Sequence, residues 1–222
     1  MKKVLVVAPH ADDEALGCAG TILRHIAEGD EVYWLLVTEL SLESGFSKQQ
    51  IDERQKEIAD ITQLFDFKQR LDLKFPPAKL DTIPQTDIIC ALAEAIDALQ
   101  PEVIYTVFGN DVHSDHRITF DCLLSASKSF RHPSIKKILA YETLSETDFS
   151  SNITGLGFQP NVFTNIEDYL DKKLQIISRY QSEIADFPFP RSLKAITALA
   201  HLRGVQANCK AAEAFMLIKE IN

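Results

Sequence analysis

Val4-Leu5-Val6-Val7-Ala8-Pro9-His10-Ala11-Asp12-Asp13-Glu14 decides the fold. Its opening apolar run is unbroken, which predicts a strand buried on both faces, as in parallel sheets. Pro9-His10 ends that strand. From Glu14 to Ala27 the apolar residues Leu16, Cys18 or Ala19, Ile22, Leu23 and Ile26 recur at helical spacing. Gly29-Asp30 turns the chain, and Glu31 to Thr38 reads as a second strand built on Val32, Tyr33, Trp34, Leu35, Leu36 and Val37. Strand, helix and strand make a βαβ unit with a right-handed crossover.

The same alternation continues outward. Ser47 is placed to cap a helix from Lys48 to about Leu64. Strands are expected at Phe67 to Phe75, Val103 to Phe108 and Ile135 to Tyr141, and helices at Pro84 to Leu99 and His116 to Phe130. Ser145 to Gly157 reads as a polar loop over one end of the sheet, and Val162 to Ile166 as a short strand. A helix is expected from Ile166 to Tyr180, another from Ser192 to His201 or beyond, and a closing one from Asn208 to Lys219. No repeat, low-complexity tract or linker interrupts the pattern, so residues 1–222 are expected to form one open α/β domain with a C-terminal helical addition.

Composition narrows the function classes. Lys plus Arg number 23 against 32 Asp plus Glu, a net charge of −9, which disfavours general binding of nucleic acid or anionic membrane. No stretch approaches the roughly 18 apolar residues of a transmembrane helix. The apolar run at Val4 is too short for a signal peptide, so a cytoplasmic location is expected. Cys18, Cys90, Cys122 and Cys209 are far apart in apolar helical stretches, and buried reduced thiols are expected.

Polar chemistry gathers where two buried strands end. His10-Ala11-Asp12-Asp13-Glu14 follows the first strand, and Asn110-Asp111-Val112-His113-Ser114-Asp115-His116 follows the strand ending at Phe108. Ligand sites of open α/β sheets lie at those strand ends. Acids alone suit the positive end of a helix dipole. Adding His10, and two of the six histidines in the second loop, points instead to a His, Asp and His set for a divalent metal with positions left open. Asp12, beside Asp13, is then placed to take a proton from water. His113 is the candidate proton donor or oxyanion stabiliser, with Asp115 orienting it or holding the ring of His116. Zinc suits such a set; iron, manganese and cobalt are also compatible.

Pro9 to Glu14, continued by Leu16-Gly17-Cys18-Ala19-Gly20-Thr21, resembles the signature of the PIG-L/LmbE-like family of zinc-dependent N-acetylglucosaminyl deacetylases. That family usually has proline at Ala11 and glycine at Ala19. His113-Ser114-Asp115-His116 resembles its second motif, commonly with proline at Ser114. Arg54 and Glu57, Tyr180-Gln181-Ser182-Glu183, Arg203-Gly204 and Ala212-Glu213-Ala214-Phe215 extend the likeness along the chain. The resemblance implies a Rossmann-like three-layer domain with a mostly parallel sheet and helices on both faces. It implies Zn2+ on His10, Asp13 and His116, Asp12 as general base, and His113 as acid or oxyanion stabiliser supported by Asp115. The implied reaction removes acetyl from an N-acetylglucosamine-type sugar. Likeness to bacterial members associated with surface-glycan synthesis points to a nucleotide- or lipid-linked one.

Arg54, Arg191 and Arg203 are the substrate-binding candidates, since guanidinium suits phosphate or sugar hydroxyls. Glu39, and Tyr141-Glu142 at a strand end, are further candidates for the crevice. His25 and His201 read as solvated or packed, and His132 as a surface residue in a turn. The competing readings are a metallohydrolase of another amide or sugar conjugate and a non-catalytic metal- or sugar-binding protein. The sequence leaves the homo-oligomeric state open. A dinucleotide fingerprint is missing from the first strand-to-helix turn.

Overall fold

The computed structural model describes residues 1–151 and 157–222. Among these, β1 (Lys3–Ala8), β2 (Glu31–Thr38), β3 (Gln69–Phe75), β4 (Val103–Val107), β5 (Lys137–Tyr141), β6 (Val162–Asn165) and β7 (Ala212–Glu220) form one sheet. Its order is β3-β2-β1-β4-β5-β7-β6. β1 to β5 pair in parallel, and β7 runs antiparallel to both of its neighbours. The helices are α1 (Asp13–Ala27), α2 (Lys48–Phe65), α3 (Gln85–Leu99), α4 (Ser114–Ala126), α5 (Leu170–Ile177) and α6 (Leu193–Ala207).

Alternate strand residues serve two separate cores. Val4, Val6, Trp34 and Leu36 face α1 and α2, while Leu5, Val7, Tyr33 and Leu35 face α3 and α4. The architecture is therefore the expected three-layer α/β fold, with a mostly parallel sheet and extra helices, α5 and α6, in the C-terminal third. Ser47 caps α2 as expected, its hydroxyl accepting from the amide of Gln50, whose side chain in turn accepts from the Ser47 amide. Between β1 and β4 the strand order reverses direction, which opens a crevice at the C-terminal ends of those two strands.

α1 is broken at Cys18, where φ is −146°, so its second half has an N-terminus of its own. The amides freed there, of Gly20 and Thr21, donate to the buried carboxylate of Glu213 at 2.9 and 2.7 Å. Gly17 lets the helix lie on the sheet: a Cβ there would come within 2.1 Å of the Tyr141 ring.

Several sequence expectations are corrected. The closing helix expected from Asn208 to Lys219 is the strand β7, inserted between β5 and β6. Ala212 to Glu220 is rich in good helix formers, but pairing on both edges of an otherwise open sheet outweighs that propensity. Asn208, with φ 56°, ends α6 in the left-handed conformation and frees the chain to turn back. The helix expected from Ile166 to Tyr180 is reduced to α5. All four cysteines are free, but Cys90 is exposed and Cys209 lies half-buried in the turn after α6. His132 is buried, with Nδ1 3.1 Å from Asp97, rather than on the surface. Residues 152–156 of the expected polar loop lie outside the described residues. Among the described residues no helix is long and apolar enough to cross a membrane.

Candidate active site

Two strand ends meet at the crevice. β1 delivers His10 to Asp13 and starts α1; β4 delivers the loop through His113, which caps α4. The rings of His10, His113 and His116 form a triangle, with centroid separations of 4.6, 5.5 and 5.5 Å. Asp13 lies between two of them. Its Oδ2 is 3.5 Å from His10 Nδ1, and its Oδ1 is 3.2 Å from His116 Nε2.

Each of these two imidazoles turns its other nitrogen to a second carboxylate. His10 Nε2 is 3.0 Å from Asp115, and His116 Nδ1 is 2.8 Å from Asp111. Asp115 is itself held by the amides of Ala78 and Leu80, and Asp111 by the hydroxyl of Thr147 at 2.6 Å. Outer carboxylates of this kind fix ring orientation and tautomer in metal sites.

The donor set suits a cation. His10, Asp13 and His116 each offer a ligand atom within 4.8 Å of the others; His10, His113 and Asp115 form a second such group. The first group fits a divalent metal better, because both of its imidazoles have an outer carboxylate. Charge agrees with that choice. Burial opposes protonation of His10, but hydrogen bonds to Asp115 and Asp13 overcome it and raise its pKa to about 9. Burial likewise opposes protonation of His116, yet Asp13 and Asp111 raise it to about 10. Burial disfavours ionised Asp13, but His116 and His10 hold it well below the usual carboxylate range. Three carboxylates thus favour positive charge at this point.

Asp12 points another way. Its Oδ2 accepts from Arg191 Nη1 at 3.0 Å. Burial, helped by the charges of Asp13 and Glu183, pushes Asp12 up to about 7. His113 accepts the Asp115 amide at Nδ1, 3.0 Å away, which leaves Nε2 as its donor. Burial and the neighbouring imidazoles lower His113 to about 4, so its ring is neutral near pH 7. Glu14 is fully buried beneath, accepting the Tyr180 hydroxyl at 2.6 Å.

The crevice opens into a cleft of about 930 Å³ lined by His10, Asp12, Asp13, His113, His116, Arg54 and Arg191 among others. Seven of the nine residues singled out from the sequence therefore line one space, and Asp115 supports it from behind. The remaining one does not reach it. Arg203 makes a paired bond to Glu142, Nε to Oε1 at 2.7 Å and Nη2 to Oε2 at 2.6 Å, beside a separate cavity of about 20 Å³. Tyr141 is fully buried with its hydroxyl on the Val7 carbonyl, so neither it nor Glu142 lines the cleft, whereas Glu39 does. Asp115 backs His10 through its carboxylate, rather than His113 or the ring of His116. In the first turn of α4 that carboxylate is drawn to the amides of Ala78 and Leu80, on the His10 side.

Sequence reasoning missed Asp111 as the partner of His116, although it lies five residues earlier in the same loop. It also missed Glu183, which takes both Arg54 and Arg191, and Glu146, which lines the cleft beside His116. Only the shared strand-end loop signalled Asp111 in the sequence; Glu183 stood within the Tyr180-Gln181-Ser182-Glu183 segment, which gave no sign of its arginine partners.

The family model described as PIG-L: GlcNAc-PI de-N-acetylase matches residues 5–127, the span holding both motifs. A probable N-acetyl-alpha-D-glucosaminyl L-malate deacetylase 2 of Bacillus anthracis is 23% identical over 192 residues, covering 83% of this chain and 82% of its own. The conserved protein TT1542 of Thermus thermophilus superposes with a TM-score of 0.79 at 26% identity, covering 100% of this chain and 97% of its own. An N,N'-diacetylchitobiose deacetylase from Pyrococcus horikoshii shares the fold, with a TM-score of 0.78 at 20% identity over 98% of this chain and 84% of its own.

Proposed function

The chain belongs to the PIG-L family, and on that premise we propose that it is a metal-dependent hydrolase removing acetyl from an N-acetylglucosamine-type amino sugar. One observation carries the reading: a carboxylate outside the donor set, Asp12, sits next in sequence to Asp13 and shares its cleft. A site that only stored metal or held sugar has no use for that extra buried acid.

His10, Asp13 and His116 would hold the ion, and zinc is the proposed metal. When bound, a divalent metal supplies Lewis-acid polarisation of the amide carbonyl and activates water near neutral pH. Asp12 takes the proton of the attacking water, and Arg191 Nη1 fixes the direction of its carboxylate. His113, with Nδ1 occupied by the Asp115 amide, directs Nε2–H at the developing oxyanion or the leaving nitrogen. Arg54 donates to the Ala11 carbonyl and so braces the turn that carries Asp12. The names of the B. anthracis and P. horikoshii relatives, both deacetylases of N-acetylated sugars, support the substrate class.

The test is acetate release from a panel of N-acetylglucosamine derivatives by protein loaded with zinc. Release that stops on chelation and returns with metal is expected. Failure to release acetate from every member of the panel overturns the reading.

A further inference from the structure

The cleft wall has a charge balance that bears on what surrounds the acetylated sugar. Among its buried and half-buried lining residues, Asp12, Asp13, Glu39, Glu57, Glu146 and Glu183 carry carboxylates, against the guanidinium groups of Arg54 and Arg191 and, where a metal does not take their place, the imidazoles of His10 and His116. Lys56 and Arg179, with Glu53 and Asp60, stand exposed at the rim and balance one another in charge. Even a divalent metal on His10, Asp13 and His116 leaves the inner wall negative.

Both inner guanidinium groups already meet protein oxygens, Arg54 through every nitrogen and Arg191 through Nη1. Arg54 bonds Glu183, holds Glu57 at 3.3 Å through Nε, donates to Ser182 Oγ at 2.9 Å, and bonds the Ala11 carbonyl. Arg191 Nη1 lies 3.0 Å from Asp12 and 3.2 Å from Glu183, while its Nε is buried without a hydrogen-bond partner. Glu183 is the shared partner, half-buried between the two arginines and reaching them from the segment joining α5 to α6. An incoming phosphate or carboxylate would compete with Glu183 for these arginines while facing the remaining acids, and like charges in a partly desolvated cleft repel strongly.

Resting on the deacetylase reading above, we propose that the cleft selects acetylated amino sugars whose bound portion carries no phosphate or carboxylate, with Glu183 as the specificity-determining residue. The nucleotide- or lipid-phosphate-linked substrate suggested by family resemblance does not suit this wall. Neither does a dicarboxylate aglycone such as malate. A neutral glycoside does, and its deacetylated product, bearing an ammonium group, suits the wall better still.

The experiment compares kcat/KM for acetate release from N,N'-diacetylchitobiose, UDP-N-acetylglucosamine and the malate conjugate of N-acetylglucosamine, in wild type and Glu183→Gln. The neutral sugar is expected to lead both anionic ones by about tenfold or more, and Glu183→Gln to narrow that lead by about tenfold, because one negative charge is removed and each arginine loses one carboxylate partner. Equal or faster turnover of an anionic substrate by wild type overturns the inference alone. So does an unchanged lead in folded Glu183→Gln. Acetate from none of the three overturns the deacetylase reading, and this inference with it. Should Glu183→Gln fail to fold, wild-type inhibition decides. Glucosamine is expected to inhibit about tenfold more tightly than glucosamine 6-phosphate, and the reverse order overturns the proposal.

Discussion

The broken helix α1 has two N-termini, and each meets buried carboxylates with opposite consequences. At the second, after Cys18, Glu213 receives the amides of Gly20 and Thr21, the Thr21 hydroxyl at 2.6 Å and Lys173 Nζ at 2.6 Å. Every partner is internal to the protein, and both Glu213 and Lys173 are nearly inaccessible. At the first, Asp13 meets imidazoles on a wall that opens into the cleft. The same motif, an acid at a helix start, becomes a structural tie where its lone pairs are filled by backbone and ammonium. It becomes a reactive centre where it faces ionisable rings and open space. The chemistry of the partners, backbone and ammonium against ionisable imidazoles, rather than the presence of the acid, separates the two.

Substitutions at the two ends sharpen that contrast. Asp12→Asn is expected to have the largest effect, lowering kcat by about 10²–10⁴-fold, the usual worth of a general base, with metal content by elemental analysis unchanged. Loss of metal together with activity would instead make Asp12 a ligand. Glu213→Ala leaves the Lys173 ammonium buried without a counter-charge, held by the Leu16 carbonyl alone, so it should cost about 3–5 kcal/mol of stability. The corresponding fall in melting temperature is about 10 °C, with kcat of the folded protein nearly unchanged. A specific loss of kcat without loss of stability would erase the distinction between the two ends. Asp111→Ala removes the outer partner of His116 and should weaken metal binding by about 10–100-fold, read by chelator competition. The smallest effect on activity is expected from Arg203→Ala, which breaks its paired bond to Glu142 at a cost of about 1.5–3 kcal/mol of stability and leaves KM for any substrate unaltered. A raised KM would place Arg203 in substrate binding after all.

The two ends also differed in how far the chain alone exposed them. His10, Asp12 and Asp13 were readable because they follow a continuous apolar strand within a few residues, and His113 and His116 for the same reason after β4. Ser47 was readable because a cap and its helix are neighbours in sequence. Glu213 gave no such sign: its amide partners lie 192 and 193 residues away, and the strand that carries it has the composition of a helix. Arg203 and Arg191 looked alike in sequence, yet one meets Glu142 away from the cleft and the other meets Asp12 within it.

Local order along the chain was enough to specify the buried strands of the parallel sheet and the two histidine-bearing loops, because strand burial and helix starts depend on residues a few positions apart. Three outcomes depended on long-range meetings instead: Asp115 as the carboxylate behind His10, the last segment as a strand, and the pairing of Arg54 with Glu183. Each was decided by which groups the folded chain brought within hydrogen-bonding distance, where a buried polar group must find a partner or pay its full desolvation.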